Sequence, residues 1–149
     1  INTNPDSRRL MVSAWAPQDM KDMALPPCHY AFQVYINNGK LDLMWLQRSV
    51  DTFLGLPYDI AMYGLLLEML AKGADLIPGE LIGQLGDCHL YNNHLDQAKL
   101  YLSRPNRALP KLQLSSGLDI SMNIPEANEI KIINYNPYAA IKAELSVGK

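Results

Sequence analysis

Asn37-Asn38-Gly39-Lys40 separates two runs rich in aromatic and branched residues, 29–36 and 41–48, and no other feature restricts the fold of this chain as much. Asn-Gly supplies the positive φ of a tight turn, so the two runs are predicted to pair as an antiparallel hairpin. Pro26-Pro27 forbids helix directly upstream, and Cys28 therefore enters at a strand start. Downstream, residues 59–71 are apolar almost all the way round, with the Leu, Met and Ala content of a buried helix that Gly73 ends. Residues 8–15 alternate Leu10, Val12 and Ala14 with Met11, Ser13 and Trp15, the period of a strand, and residues 80–89 read as another. A second helix is expected over 94–103, stopped by Pro105, followed by short strands at 111–114 and 129–135 around a polar loop. The expected fold class is α+β, a mixed sheet packed on a long buried helix, with no internal repeat.

With 149 residues, 48% of them hydrophobic, the chain suffices for one domain with one core. Thirteen Lys and Arg against fifteen Asp and Glu give a net charge of −2, which excludes a strong basic field for a nucleic-acid polymer and leaves room only for a local anion site. The apolar run at 60–71 is interrupted by Gly64 and Glu68 and is shorter than the ~20 residues of a bilayer span. A soluble protein is expected. Cys28 and Cys88 are too few for a disulfide scaffold, which fits a reducing, cytoplasmic setting. The chain opens on Ile1 rather than Met, the mark of a removed leader or of the later part of a longer protein.

No Gly-rich phosphate loop, paired-cysteine metal spacing or Gly-x-Ser-x-Gly elbow occurs, and those classes lose support. What remains is a thiol set by a rigid proline pair, Leu25-Pro26-Pro27-Cys28-His29, and Gln47-Arg48-Ser49-Val50-Asp51 at the far end of the hairpin's second strand. Antiparallel pairing brings those ends together, and a guanidinium beside a thiol favours the nucleophilic thiolate. A lone cysteine is most often a small buried hydrophobe, so the surrounding residues must decide.

Those residues are Pro5-Asp6-Ser7-Arg8-Arg9, Leu25-Pro26-Pro27-Cys28-His29, Gln47-Arg48-Ser49, Asp51-Thr52-Phe53-Leu54-Gly55-Leu56-Pro57 and Asp87-Cys88-His89-Leu90-Tyr91-Asn92-Asn93-His94. In order and length they closely resemble the thymidylate synthase family, as does Ile141-Lys142-Ala143 near the end. The resemblance implies reductive methylation of deoxyuridylate (dUMP) by 5,10-methylenetetrahydrofolate, with Cys28 adding to C6 of the pyrimidine and no metal. A soft thiolate suits addition to a conjugated carbon and later expulsion. By the same match, Gln47, Arg48 and Ser49 bind the nucleotide, the latter two through its phosphate, joined by Arg8 and Arg9 of a partner subunit. Arginine forks suit a dianionic phosphate. His89 and Tyr91 correspond to the pair on the ribose 3′-hydroxyl. Asp51, Leu54 and Gly55 correspond to the folate side, Asp51 contacting the pterin. His29 is given a supporting role, since adjacent strand residues point to opposite faces. Cys88 and the methionines are read as packing.

One position departs from the pattern. After Leu56-Pro57-Tyr58 stands Asp59, where the family usually has an asparagine whose amide reads uracil O4 and N3. A carboxylate has no donor for O4 but accepts well from the 4-amino group of cytosine. Deoxycytidylate hydroxymethylases, relatives that add water rather than hydride to the same methylene intermediate, share that aspartate. The first expectation is therefore a thymidylate synthase, the second a deoxycytidylate hydroxymethylase. A non-catalytic nucleotide-binding module and a purely structural α+β domain are the rival classes. The resemblance begins inside the family's domain, so residues 1–149 are expected to be its C-terminal portion, lacking roughly the first two fifths and inactive alone. Beyond Glu144-Leu145-Ser146-Val147 come Gly148-Lys149, where the family ends in a short apolar segment that helps close the folate site. An apolar sheet face at Tyr30, Phe32 and Val34, or at their alternating neighbours, is expected to make a homodimer.

Overall fold

Asn38 and Gly39 have φ of 50° and 76° in the computed structural model, the left-handed backbone that a two-residue hairpin turn demands. The structure describes residues 1–116 and 126–146. They fall into two units, Ile1–His89 and Leu90–Lys149.

In the first unit, Met11–Ser13 (β1), His29–Asn37 (β2), Lys40–Asp51 (β3) and Ile77–His89 (β4) form one sheet in the order β1-β2-β3-β4, and Leu56–Gly73 (α1) joins β3 to β4. β1 and β2, and β2 and β3, pair antiparallel, with Asn37 opposite Lys40 and His29 opposite Gln47. β4 lies parallel to β3, which places Ser49 opposite Asp87 and Asp51 opposite His89. A parallel neighbour requires a crossover, and α1 provides it. Residues 8–15 form less strand than expected. Only Met11–Ser13 qualifies, all three residues exposed on the sheet edge, although Leu10 still accepts from the Val34 amide and Ala14 still donates to Tyr30 (both 2.9 Å).

α1 starts three residues ahead of the expected 59–71 because Pro57 suits a helix's first turn, where its missing N–H is no loss. Asp59 in the first turn and Lys72 in the last complement the helix dipole. The expectation of a buried helix needs correction. Tyr63, Leu67 and Ala71 form one buried stripe, whereas Ile60 and Met62 are about half exposed, at 47% and 51%. A single sheet face packs on the helix within this unit, so an all-round apolar pattern is covered on one side only. The core joins that stripe to Val34, Leu41, Leu43 and Trp45, with Phe32, Ile36, Leu81 and Leu85 packed around it. Phe32, Val34 and Ile36 thus face the helix. Their alternating neighbours Gln33 and Tyr35 share the other face with Met44, Leu46 and Ile82.

In the second unit a 3-10 turn, Asn92–His94, leads into Leu95–Leu102 (α2), and Lys111–Leu114 (β5) pairs antiparallel with Ile130–Ile133 (β6). β6 stops short of the expected 135, Asn134 turning the chain at φ 59°. The segment that follows has no regular structure through Ser146 and is held by side chains. His94, fully buried, lies 2.7 Å from the Glu144 carbonyl oxygen through Nε2, and the Arg107 guanidinium stacks 3.7 Å above the Tyr138 ring. Most of the polar loop between β5 and β6, and Val147, Gly148 and Lys149, lie outside the described residues.

Candidate active site

The hairpin register brings the Pro26-Pro27-Cys28 entry to the exit of β3. The Arg48 amide donates to the Cys28 carbonyl at 2.9 Å. Its side chain turns back over the same turn, donating from Nε to the Pro27 carbonyl (3.0 Å) and from Nη2 to the Pro26 carbonyl (2.7 Å). The same Nη2 lies 3.9 Å from Cys28 Sγ. Prolines have no N–H, so carbonyls are the only backbone hydrogen-bonding groups the Pro26-Pro27 pair offers, and one guanidinium engages both. The juxtaposition of Cys28 and Arg48 expected from pairing is present, with the thiol exposed.

Asp51 closes β3 by accepting at Oδ1 from the amides of Phe53 (3.0 Å) and Leu54 (3.1 Å), while its carbonyl accepts from the Gly55 amide (3.1 Å). A Cβ on Gly55 would sit 3.0 Å from that carbonyl oxygen, so glycine suits the approach. Thr52 ties this turn to β4, donating from its amide (3.0 Å) and hydroxyl (2.9 Å) to the His89 carbonyl. His89 Nδ1 lies 3.9 Å from Asp87 Oδ2. The Ser49 carbonyl accepts from Gln47 Nε2. Tyr91 belongs to the second unit, its ring edge-on to His94 at 5.8 Å. Arg8 and Arg9 are exposed ahead of β1, and among the described residues no hydrogen bond or ion pair joins their side chains to Cys28, Arg48 or Ser49.

Asp59 is engaged through both of its carboxylate oxygens. Gln47 Nε2 donates to its Oδ2 at 2.9 Å, and His29 Nε2 lies 3.2 Å from its Oδ1. Behind it, Trp45 donates to Gln47 Oε1 at 3.1 Å, and Tyr63 stacks between the Trp45 and His29 rings at 5.2 Å and 5.5 Å. Burial first, and the nearby Asp59 charge second, push the Tyr63 phenol above its usual 10.0. Reading from sequence passed over Trp45 and Tyr63. Period two along β3 puts Trp45 on the face of Gln47, and a helical step of four puts Tyr63 beside Asp59, so both signals were present. Among the described residues no three His, Cys, Asp or Glu side chains converge as a metal site, and no helix is long and apolar enough to cross a membrane.

The sequence matches the family model described as thymidylate synthase over residues 1–147. A thymidylate synthase of Listeria innocua is 52% identical over 147 residues, and one of Listeria monocytogenes is 51% identical over the same length. In each case the match covers 99% of this chain and 46% of the relative, so the chain spans under half the length of these proteins.

Proposed function

The chain belongs to the thymidylate synthase family, and from that premise we propose that the whole protein methylates dUMP reductively with 5,10-methylenetetrahydrofolate, releasing thymidylate and dihydrofolate. The observation that carries this reading is the exposed Cys28 thiol 3.9 Å from a guanidinium that also braces the turn presenting it. Cys28 Sγ adds to C6 of the pyrimidine, and the electron pair released at C5 forms the bond to the folate methylene carbon. Loss of the C5 proton expels the tetrahydrofolate nitrogen and leaves an exocyclic methylene with Cys28 still on C6; hydride from tetrahydrofolate then reduces that methylene to methyl, and the electron pair this releases at C5 restores the C5–C6 double bond and expels the thiolate. Arg48 and Ser49, with Arg8 and Arg9 of a second copy, hold the phosphate, where arginine forks fix orientation as well as charge. Gln47 and Asp59 face the base, and His89 and Tyr91 the ribose. Asp51, Leu54 and Gly55 lie toward the folate, with Asp51 held by its two backbone donors. The homodimer this requires is supported by the sheet face opposite α1, where Tyr35 and Ile82 are 54% and 42% exposed. Cytoplasmic placement completes the proposal.

The test is covalent trapping of 5-fluorodeoxyuridylate by the full-length protein with the folate present. A mass increment on the Cys28 peptide, absent in Cys28→Ser, is expected. Binding without any adduct would identify a non-catalytic nucleotide module instead.

Asp59 favours a second reading, a deoxycytidylate (dCMP) hydroxymethylase, because its Oδ2 accepts from Gln47 and so presents no donor for a 4-oxo group. Following dihydrofolate with each nucleotide separates the two, since only the synthase makes it.

A further inference from the structure

Thr52, half-buried one residue past the end of β3, stands between two groups of the candidate site. The parallel ladder closes with Asp51 opposite His89, and the Thr52 amide adds the next rung by donating to the His89 carbonyl at 3.0 Å. That rung already gives the carbonyl its ladder partner. The Thr52 hydroxyl donates to the same oxygen at 2.9 Å, so one residue grips one acceptor with two donors. A single hydrogen bond to a carbonyl tolerates a broad range of angles. A second donor, seated on the side chain, narrows it.

On one side of the grip is a turn closed on itself. Asp51 Oδ1 accepts from the Phe53 and Leu54 amides, the Asp51 carbonyl accepts from the Gly55 amide, and the Gly55 carbonyl accepts from the Tyr58 and Asp59 amides in the first turn of α1. The Asp51 carboxylate is thereby tied to the backbone it caps, and a displacement of Thr52 carries it along. On the other side is His89, the last residue of β4.

We propose that Thr52 is a positioning residue that couples the two substrate sites: its hydroxyl fixes the folate-side Asp51 turn to the ribose-side strand end at His89, so that a bound nucleotide presets the turn the folate meets. This rests on the reading above that Asp51 lies toward the folate and His89 toward the ribose. Coupling between two binding sites is reciprocal, so the folate strengthens nucleotide binding by the same factor.

The experiment measures equilibrium binding of dUMP and of tetrahydrofolate, which carries no methylene group to transfer, each alone and in the presence of the other, on the full-length protein. Thr52→Val keeps the branched shape and loses the hydroxyl, while the His89 carbonyl retains its amide donor, so no acceptor is left unmade. Thr52→Ser restores a hydroxyl and serves as the rescue. In the parent each ligand is expected to raise the affinity for the other. In Thr52→Val that mutual factor is expected to fall about fivefold, the order of one neutral hydrogen bond, with each ligand bound alone within about twofold of the parent. Thr52→Ser is expected to keep the parent's factor. A merely structural hydroxyl would weaken each ligand bound alone, or lower the urea midpoint, and leave the factor unchanged; that result overturns the proposal, as does a parent in which the two ligands bind independently. Asp51→Asn, which keeps an acceptor for the two amides, tests the underlying reading. If it weakens tetrahydrofolate while Thr52→Val leaves the factor intact, the proposal fails and the reading of Asp51 stands. Unchanged tetrahydrofolate affinity in Asp51→Asn removes both.

Discussion

Gly83 and Trp45 divide one space between two strands, and the division is tight enough to measure. Gly83→Ala puts a methyl 2.5 Å from the indole of a residue that is 4% exposed, so the ring must leave its stack with Tyr63 or the strands must part. Overpacking of this kind costs about 1–3 kcal/mol, read as a lower urea midpoint with an unchanged slope. Tyr63 makes a different demand. Its phenol is held above 10.0 by burial and then by Asp59, so the unfolded chain gives up that proton at lower pH than the folded one. The stability it contributes is complete below pH 10.0 and is lost as pH rises through the higher folded value. Tyr63→Phe should therefore flatten the alkaline limb of a stability-versus-pH curve and leave the neutral region without that slope. An alkaline limb identical in the two proteins would remove Tyr63 as its source.

Elements obey cruder rules, and the chain keeps most of them. The β2–β3 hairpin was legible because Asn38-Gly39 encodes a backbone conformation directly, independent of anything that packs on it. Gly39→Ala tests that claim alone: a Cβ there meets nothing within 4 Å, so the whole effect comes from φ 76°. A loss of about 1 kcal/mol in the unfolding free energy is expected. The pairing of Cys28 with Arg48 was legible for the same reason, since register follows from the turn. The one-sided burial of α1 was not. An all-round apolar helix announces that it is covered without saying by what, and the stripe Tyr63, Leu67 and Ala71 is selected only by the sheet it meets. Leu67→Ala should cost about 2–5 kcal/mol, against within about 0.5 kcal/mol for Met62→Ala on the exposed flank. Equal losses would contradict the stripe. The parallel direction of β4 was likewise hidden, because periodicity reports which face is buried and carries no sign for strand direction. Trp45 and Tyr63 escaped notice because aromatic residues at core spacing satisfy packing and polar roles with one pattern.

For the whole molecule, the relation that decides the architecture is between Cys28 and the arginine pair. Cys28 and Arg48 meet within one chain. Arg8 and Arg9 lie exposed ahead of an edge strand and share no described hydrogen bond or ion pair with either. Under the proposed two-fold dimer, each site draws its thiol from one subunit and its outer arginines from the other. An isologous interface then makes a sharp prediction. A Cys28→Ala subunit paired with an Arg9→Ala subunit contains one site with both defects and one with neither. Equal mixing of the two full-length variants yields mixed dimers as half of the population, each with one intact site in two. The activity regained is therefore about one quarter of the parent's, where each variant alone is inactive or nearly so. Arginines acting on the thiol of their own chain give a different result, because every site in every mixture then carries one defect. Verified mixed dimers without restored turnover would thus place Arg9 in its own subunit's site, and the shared-site architecture would have to be given up.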